Sequence, residues 1–168
     1  MKSRSLKSRA LQLLAQRDQS RLELRRKLLR RLQRDAEKAA SADPGGERDE
    51  GAVAEVGAEA EVDALLDWLA ANSFLSDTRF VESRVHARAP RFGNLRIKSE
   101  LARHGVAAPA DVIAELAETE LARAAAVCER RFREVAEGAA ERAVQARFLA
   151  GRGFTPEVIH RVLRRPRA

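Results

Sequence analysis

One six-residue pattern occurs twice in the chain. Leu101-Ala102-Arg103-His104-Gly105-Val106 corresponds to Leu149-Ala150-Gly151-Arg152-Gly153-Phe154 at an offset of 48, and Val112-Ile113 corresponds to Val158-Ile159 at an offset of 46. In each copy a leucine precedes a glycine by four residues, the spacing of a helix closed by a left-handed residue. A third copy fits more weakly: Leu24 and Leu28 align with Ile97 and Leu101, but Leu32 stands where the glycine belongs. A helical repeat of this length confines the fold, because each unit must bury its apolar face on its neighbour. The roughly 34-residue period of tetratricopeptide repeats does not fit. The expected fold is all-α, with three tandem three-helix repeats over residues 1–71, 72–117 and 118–168 forming an elongated, curved body.

Composition agrees with helices. Hydrophobic residues make up 45% of the 168, aromatics only 4%, and tyrosine is absent, so helix formers outweigh strand formers. No apolar run approaches the roughly 20 residues that span a bilayer. The basic N-terminus lacks the apolar centre and cleavage site of a signal peptide. The single cysteine, Cys128, cannot pair within the chain and reads as a small buried hydrophobe. A soluble, cytoplasmic, monomeric protein is the expectation.

Charge is distributed unevenly. Residues 1–34 hold 12 basic and 2 acidic side chains, whereas residues 35–67 hold 2 basic and 11 acidic. A basic flank beside an acidic stretch points to a polyanionic partner and to an internal counter-charge.

Taken in order, Leu6, Ala10, Leu13 and Leu14 define one face of a helix over 5–17. Ser20 and Glu23 form a capping box for a second helix with Leu24, Leu28 and Leu32 on its core face. The rest of that helix is crowded with arginine and lysine, which suits either a solvated face or contact with nucleic acid or an acidic protein. Residues 35–60 carry Pro44, Gly45, Gly46, Gly51 and Gly57 among acids, and read as a mostly disordered insert with partial helix at its ends. Two readings stand: a tolerated loop, or a segment folding back over the basic helix to weaken polyanion binding. Val62, Leu65, Leu66 and Leu69 resume helical order, with Trp68 expected in the core.

Residues 72–106 read as a helix, a break and a second helix. Ser76 and Asp77 offer N-cap oxygens, Pro90 ends the first helix, and Asn94 is expected to cap the next, which buries Ile97 and Leu101. Further on, a helix begins near Pro109 and contains Val112, Ile113 and Leu116. A separate long helix is expected over about residues 118–135, then one with Val144, Phe148 and Leu149. Thr155-Pro156 opens the last helix, Thr155 as cap and Pro156 at the first position.

Catalytic patterns are missing from the sequence. It has no Gly-x-x-x-x-Gly-Lys phosphate loop and no Gly-x-Ser-x-Gly elbow. His86, His104 and His160 lack metal-ligand spacing and read as surface or helix-end residues. No cofactor, no metal and no enzymatic activity are expected. Clustered arginine is the footprint of phosphate contact, but the aromatics fall at core spacing and offer no stacking platform.

The run Gly93, Arg96-Ile97, Glu100-Leu101 and Gly105-Val106, preceded by Leu75-Ser76-Asp77 and Phe80, resembles the central signature of the RecX family. Ser20, Glu23-Leu24 and Lys27-Leu28 are similar to the family's opening pattern, and Phe148-Leu149, Arg152-Gly153-Phe154 and Ile159 to its closing one. The acidic insert replaces a short glycine-containing turn, and Asn94 stands where many members have proline. The resemblance implies a regulator that docks in the groove of the RecA–DNA filament. It would limit filament extension, ATP hydrolysis, strand exchange and co-protease activity, with weak single- or double-stranded DNA binding alongside. The expected contact residues are Arg91, Arg96, Lys98 and Arg103, flanked by Arg25, Arg26, Arg147 and Arg152. Two rival readings are a helical repeat protein that binds DNA through phosphates with no recombinase partner, and a structural adaptor for another assembly.

Overall fold

The structure is a computed structural model describing residues 5–42 and 51–164; of residues 39, 40, 42 and 51–55 it describes the backbone alone. They form eight helices: α1 (Leu6–Gln16), α2 (Arg21–Ala42), α3 (Gly51–Ala71), α4 (Asp77–Arg88), α5 (Asn94–Arg103), α6 (Ala110–Phe132), α7 (Ala139–Gly151) and α8 (Pro156–Leu163). No strand occurs among the described residues. The chain divides into two compact units, Met1–Phe80 and Val81–Ala168, each with its own apolar core.

In the first unit, Ser5 caps α1 by accepting the Ser8 amide at 3.3 Å, and Ala10 is fully buried with Leu6, Leu13 and Leu14 against the core. Ser20 caps α2, its Oγ accepting the Glu23 amide at 3.1 Å. Leu24 and Leu28 of α2 and Val62, Leu66 and Leu69 of α3 are fully buried together. Each such side chain contributes about 2 kcal/mol. Arg21 pairs with Asp67 at 2.7 Å, and Arg25 pairs with Asp63 at 2.7 Å and Glu59 at 2.9 Å. Partner numbers fall along α3 as they rise along α2, so the two helices run antiparallel. Ser76 accepts the Arg79 amide at 3.2 Å and so caps α4, while Asp77 accepts the Arg21 amide at 2.9 Å. The start of α4 is thereby fastened to the start of α2.

One expectation changes here. Helix occupies both ends of the acidic segment as expected: α2 continues through Ala42, and α3 is formed from Gly51. The Asp-Ala-Glu-Lys-Ala-Ala run after Arg34 consists mostly of good helix formers, and Asp35 is paired with Arg31 one turn back at 2.7 Å. Residues 43–50, the middle of the expected disordered insert, lie outside the described residues. Trp68 is not in the core but 38% exposed, stacked on Phe74 at 5.8 Å with the Lys7 ammonium 3.5 Å above its ring. The core face of α3 is set by Val62, Leu66 and Leu69. Trp68 lies two residues from Leu66, about 200° around the helix, on the opposite face.

In the second unit the repeated six residues fold the same way twice. α5 ends with Gly105 at φ +72°, its amide bonded to the Ala102 carbonyl at 2.9 Å and the Val106 amide to Leu101 at 3.2 Å. α7 ends with Gly153 at φ +79°, its amide bonded to Ala150 at 2.8 Å and the Phe154 amide to Leu149 at 3.3 Å. This paired closure needs a left-handed residue at the glycine position. Leu149, Phe154, Val158, Ile159 and Val162 pack with Ala124, Val127 and Cys128 of α6. Burial pushes the Cys128 thiol up from its ordinary value, which makes it a packing residue and a poor nucleophile.

The helices expected on either side of residue 117 are one: α6 runs unbroken from Ala110 to Phe132. The joining sequence Ala-Glu-Leu-Ala-Glu-Thr-Glu holds no glycine or proline to stop it. The cap of α5 is also displaced by one residue. Gly93 is the N-cap, and Asn94 is the first helical residue, with its side chain turned inward.

Candidate functional site: an arginine cluster around Phe92

The turn before α5 lies directly on the turn between α7 and α8. The Gly93 amide donates to the Arg152 carbonyl and the Leu95 amide to the Gly153 carbonyl, both at 3.0 Å. A Cβ on Gly93 would fall 2.2 Å from the Gly153 oxygen, and one on Gly153 would fall 2.4 Å from Cβ of Arg96. Both positions therefore require glycine for the approach itself.

A buried polar knot fixes this junction from below. Glu120 on α6 is 3% exposed and accepts the amides of Asn94 at 2.9 Å and Thr155 at 3.3 Å and the Thr155 hydroxyl at 3.1 Å. Asn94 Nδ2 donates to the Leu116 carbonyl at 3.0 Å. Arg123 donates to the carbonyls of Ala89, Phe92 and Leu116 and to Asn94 Oδ1 at 2.6 Å. Burial lowers the Arg123 pKa and Glu120 opposes that shift; a guanidinium stays charged regardless. Arg130 reaches the Pro90 carbonyl at 2.6 Å. Thr155 is the N-cap of α8 as its position implies, but its hydroxyl serves Glu120 and makes no capping bond. α4 is tied to α5 separately, with Glu100 between Arg88 at 2.8 Å and Arg84 at 3.6 Å, and Arg84 donating to His104 Nε2 at 2.7 Å.

On this rigid base stands a half-buried ring surrounded by cations. The guanidinium carbons of Arg96, Arg88, Arg152 and Arg91 lie 4.4, 5.7, 5.7 and 5.8 Å from the centre of Phe92, within range for attraction to its face. Arg152 also lies 4.9 Å from the Phe148 ring. Arg88 is engaged by Glu100. Among the described residues no carboxylate pairs with Arg91, Arg96 or Arg152. Their polar contacts are long ones, Arg96 to the Gly151 carbonyl and Arg152 to the Arg91 carbonyl, both 3.4 Å. Three like charges gathered over one ring are relieved by an anion, and guanidinium groups bind carboxylate or phosphate in a two-pronged manner.

Of the eight residues expected to make contact, the structure brings these three together. Lys98 and Arg103 are exposed on α5, but Lys98 lies about 200° around the helix from Arg96, on another face. Arg147 is exposed on α7 and belongs to a different surface. In the first unit Arg26 is exposed, whereas Arg25 is committed within the fold. Its hydrogen bonds to Asp63 and Glu59 push its pKa up, and Arg25 in turn holds the Asp63 carboxyl below its usual range. Phe92, the hub, and Arg88 were not among the expected residues. Their signal was local: arginines at 88, 91 and 96 bracket an aromatic residue inside a helix break. Among the described residues there is no group of His, Cys, Asp and Glu that could hold a metal ion, and no helix is long and apolar enough to cross a membrane.

Fold and surface together define a helical protein of repeated units that presents unpaired guanidinium groups from a fixed junction. Comparison with known families matches residues 76–115 to the second three-helix domain of RecX and residues 118–163 to its third. The chain is 44% identical to the regulatory protein RecX of Ralstonia nicotianae, over 95% of this chain and 86% of that protein. It is 44% identical to that of Herbaspirillum seropedicae, over 95% and 87%, and 41% identical to that of Leptothrix cholodnii, over 95% and 88%. The chain belongs to the RecX family of regulatory proteins.

Proposed function

We propose that the protein regulates the RecA recombinase in the cytoplasm by docking in the groove of the RecA–DNA filament. Docking there limits filament extension and with it ATP hydrolysis, strand exchange and co-protease activity. The protein acts as a monomer built of modules 1–71, 72–117 and 118–168, and by binding alone. The observation that supports this best is the set of Arg91, Arg96 and Arg152, gathered around Phe92 without carboxylate partners, in a chain of this family. Held by a buried network, these groups meet an acidic or phosphate surface with little ordering cost. Lys98, Arg103, Arg147 and Arg26 add long-range attraction, which accelerates encounter more than it deepens affinity.

The test is DNA-dependent ATP hydrolysis by the cognate recombinase, with this protein added below one molecule per recombinase monomer. Hydrolysis is expected to fall, and the double variant Arg91→Glu, Arg96→Glu to lose most of the effect. Hydrolysis unchanged by the wild type, with DNA binding intact, would favour a phosphate-binding protein without a recombinase partner.

A further inference from the structure

A second surface in the same unit is unlike the arginine cluster, because its centre is apolar. Between α7 and α8 lies an open trough of about 650 Å³. Phe154 and Ile159 line its base and are themselves buried, while the apolar side chains open to solvent are Leu163, half-buried, and Leu95 at 51% exposure. One wall is Ala146 and Ala150, four residues apart and so stacked on one face of α7. Small residues there leave room for side chains from outside. The rim carries Arg142, Arg147 and Arg164, with His160, and among the described residues no acidic one lines the trough.

From these features we infer that the trough seats an acidic amphipathic segment of a protein partner. Such a segment is a helix placing apolar side chains against Leu95 and Leu163, with carboxylates meeting the arginines of the rim. An apolar channel between two helices receives apolar anchors at helical spacing, and anchors buried there supply the affinity. Three arginines without an acid among them make the electrostatic sign of the occupant negative. Nucleic acid would satisfy the rim and leave Leu95 and Leu163 uncovered. The inference does not rest on the recombinase reading: of the residues named there only Arg147 also lines the trough, and any protein carrying such a segment would serve.

The probe is a fluorescein-labelled synthetic helix of about 16 residues built from leucine, alanine and glutamate, with leucines one turn apart. Binding to the full chain is read by anisotropy and mapped by amide shifts of the labelled protein. Two companion peptides replace every glutamate with lysine or every leucine with serine, and a thymidine oligonucleotide is the nucleic-acid arm. The acidic leucine peptide is expected to bind at least about tenfold tighter than either companion, shifting amides of α7 and α8. Ala150→Glu, at an exposed wall position, and Arg147→Glu are each expected to weaken it several-fold while leaving the circular dichroism unchanged. No binding, equal binding of acidic and basic peptides, shifts that map elsewhere, indifference to both variants, or displacement by the oligonucleotide overturns the proposal. Because recombinase is absent from the assay, failure here leaves the ATP-hydrolysis result standing on its own.

Discussion

At Gly93 the backbone angle is ordinary, φ −81°, yet the position cannot carry a side chain because its Cβ would meet the Gly153 carbonyl at 2.2 Å. At Gly153 approach and conformation both forbid one, with φ +79° and Arg96 at 2.4 Å. Gly57, on an exposed turn of α3, has nothing within 4 Å. The three therefore separate two roles of glycine. Gly93→Ala is expected to destabilise the second unit by about 2 kcal/mol or more through displacement of packed backbone. Gly153→Ala should cost at least as much, since strain of about 1–3 kcal/mol is added. Gly57→Ala is expected to stabilise by about 0.5–1 kcal/mol. Urea denaturation of the three variants checks the order, and equal effects at Gly57 and Gly93 would remove the account of the junction. The repeated glycines at 105 and 153 were readable because only a left-handed closure explains them in both copies. The partner of Gly93 was not readable, since nothing local in the sequence names a contact 60 residues away. Trp68 was misplaced for a related reason: its leucine-rich neighbours occupy the buried face of α3, and it occupies the other.

Among elements, the pairing of α2 with α3 most alters the functional picture. A basic helix read alone offers Arg21 and Arg25 to a partner, but Asp67, Asp63 and Glu59 on α3 already take them. Of these acids only Glu59 belongs to the segment 35–60; Asp63 and Asp67 lie on the helix beyond it, so the counter-charge on α2 comes mainly from α3. Neutralising it with Glu59→Gln and Asp63→Asn is expected to tighten binding of single-stranded DNA several-fold at low salt, with the gain fading as salt screens exposed charge. Affinity unaltered at every salt concentration would mean that these acids only hold two helices together.

The joint of α1 and α2 gives a pH dependence with a definite sign. Burial raises the pKa of Glu23, but hydrogen bonds from Arg17 and Lys27 outweigh it and bring the group down to about 2 from 4.5. A carboxyl depressed in the fold stabilises above its unfolded pKa, and that stability is lost as pH falls through 4.5 towards 2. Allowing for the exposure of Arg17 and Lys27, the loss is about 1–2 kcal/mol. The thermal midpoint of Glu23→Gln should therefore lie below that of the wild type at pH 7 and converge with it in acid. Local capping at Ser20 and Ser76 is visible from residue spacing, whereas the helix near Pro109 and the one expected over about 118–135 are one in the structure. A helix stops where a glycine, a proline or a competing cap stops it, and residues 114–120 hold neither glycine nor proline.

For the molecule as a whole, the all-helical fold followed from composition and repeat, but which arginines could act did not. Charge counts treat Arg25, Arg91 and Arg123 alike. The fold assigns the first to an ion pair between helices, the second to an exposed cluster and the third to a buried network of carbonyls. Reversing each gives a different result. Arg123→Glu would set a carboxylate among the carbonyls it now serves and beside Glu120, with a loss of several kcal/mol in the fold. Arg25→Glu faces Asp63 and Glu59 and weakens the first unit. The combination Arg91→Glu, Arg96→Glu, Arg152→Glu leaves both cores and the knot untouched, so the urea midpoint should shift little. Its association rate with the recombinase filament is expected to fall by about tenfold or more at low salt, and the steep salt dependence of that rate to flatten, as when steering charge is removed. Stopped-flow binding across a salt series reads both. A triple variant that folds normally and associates at the wild-type rate would move the contact surface away from Phe92, whatever the equilibrium inhibition shows.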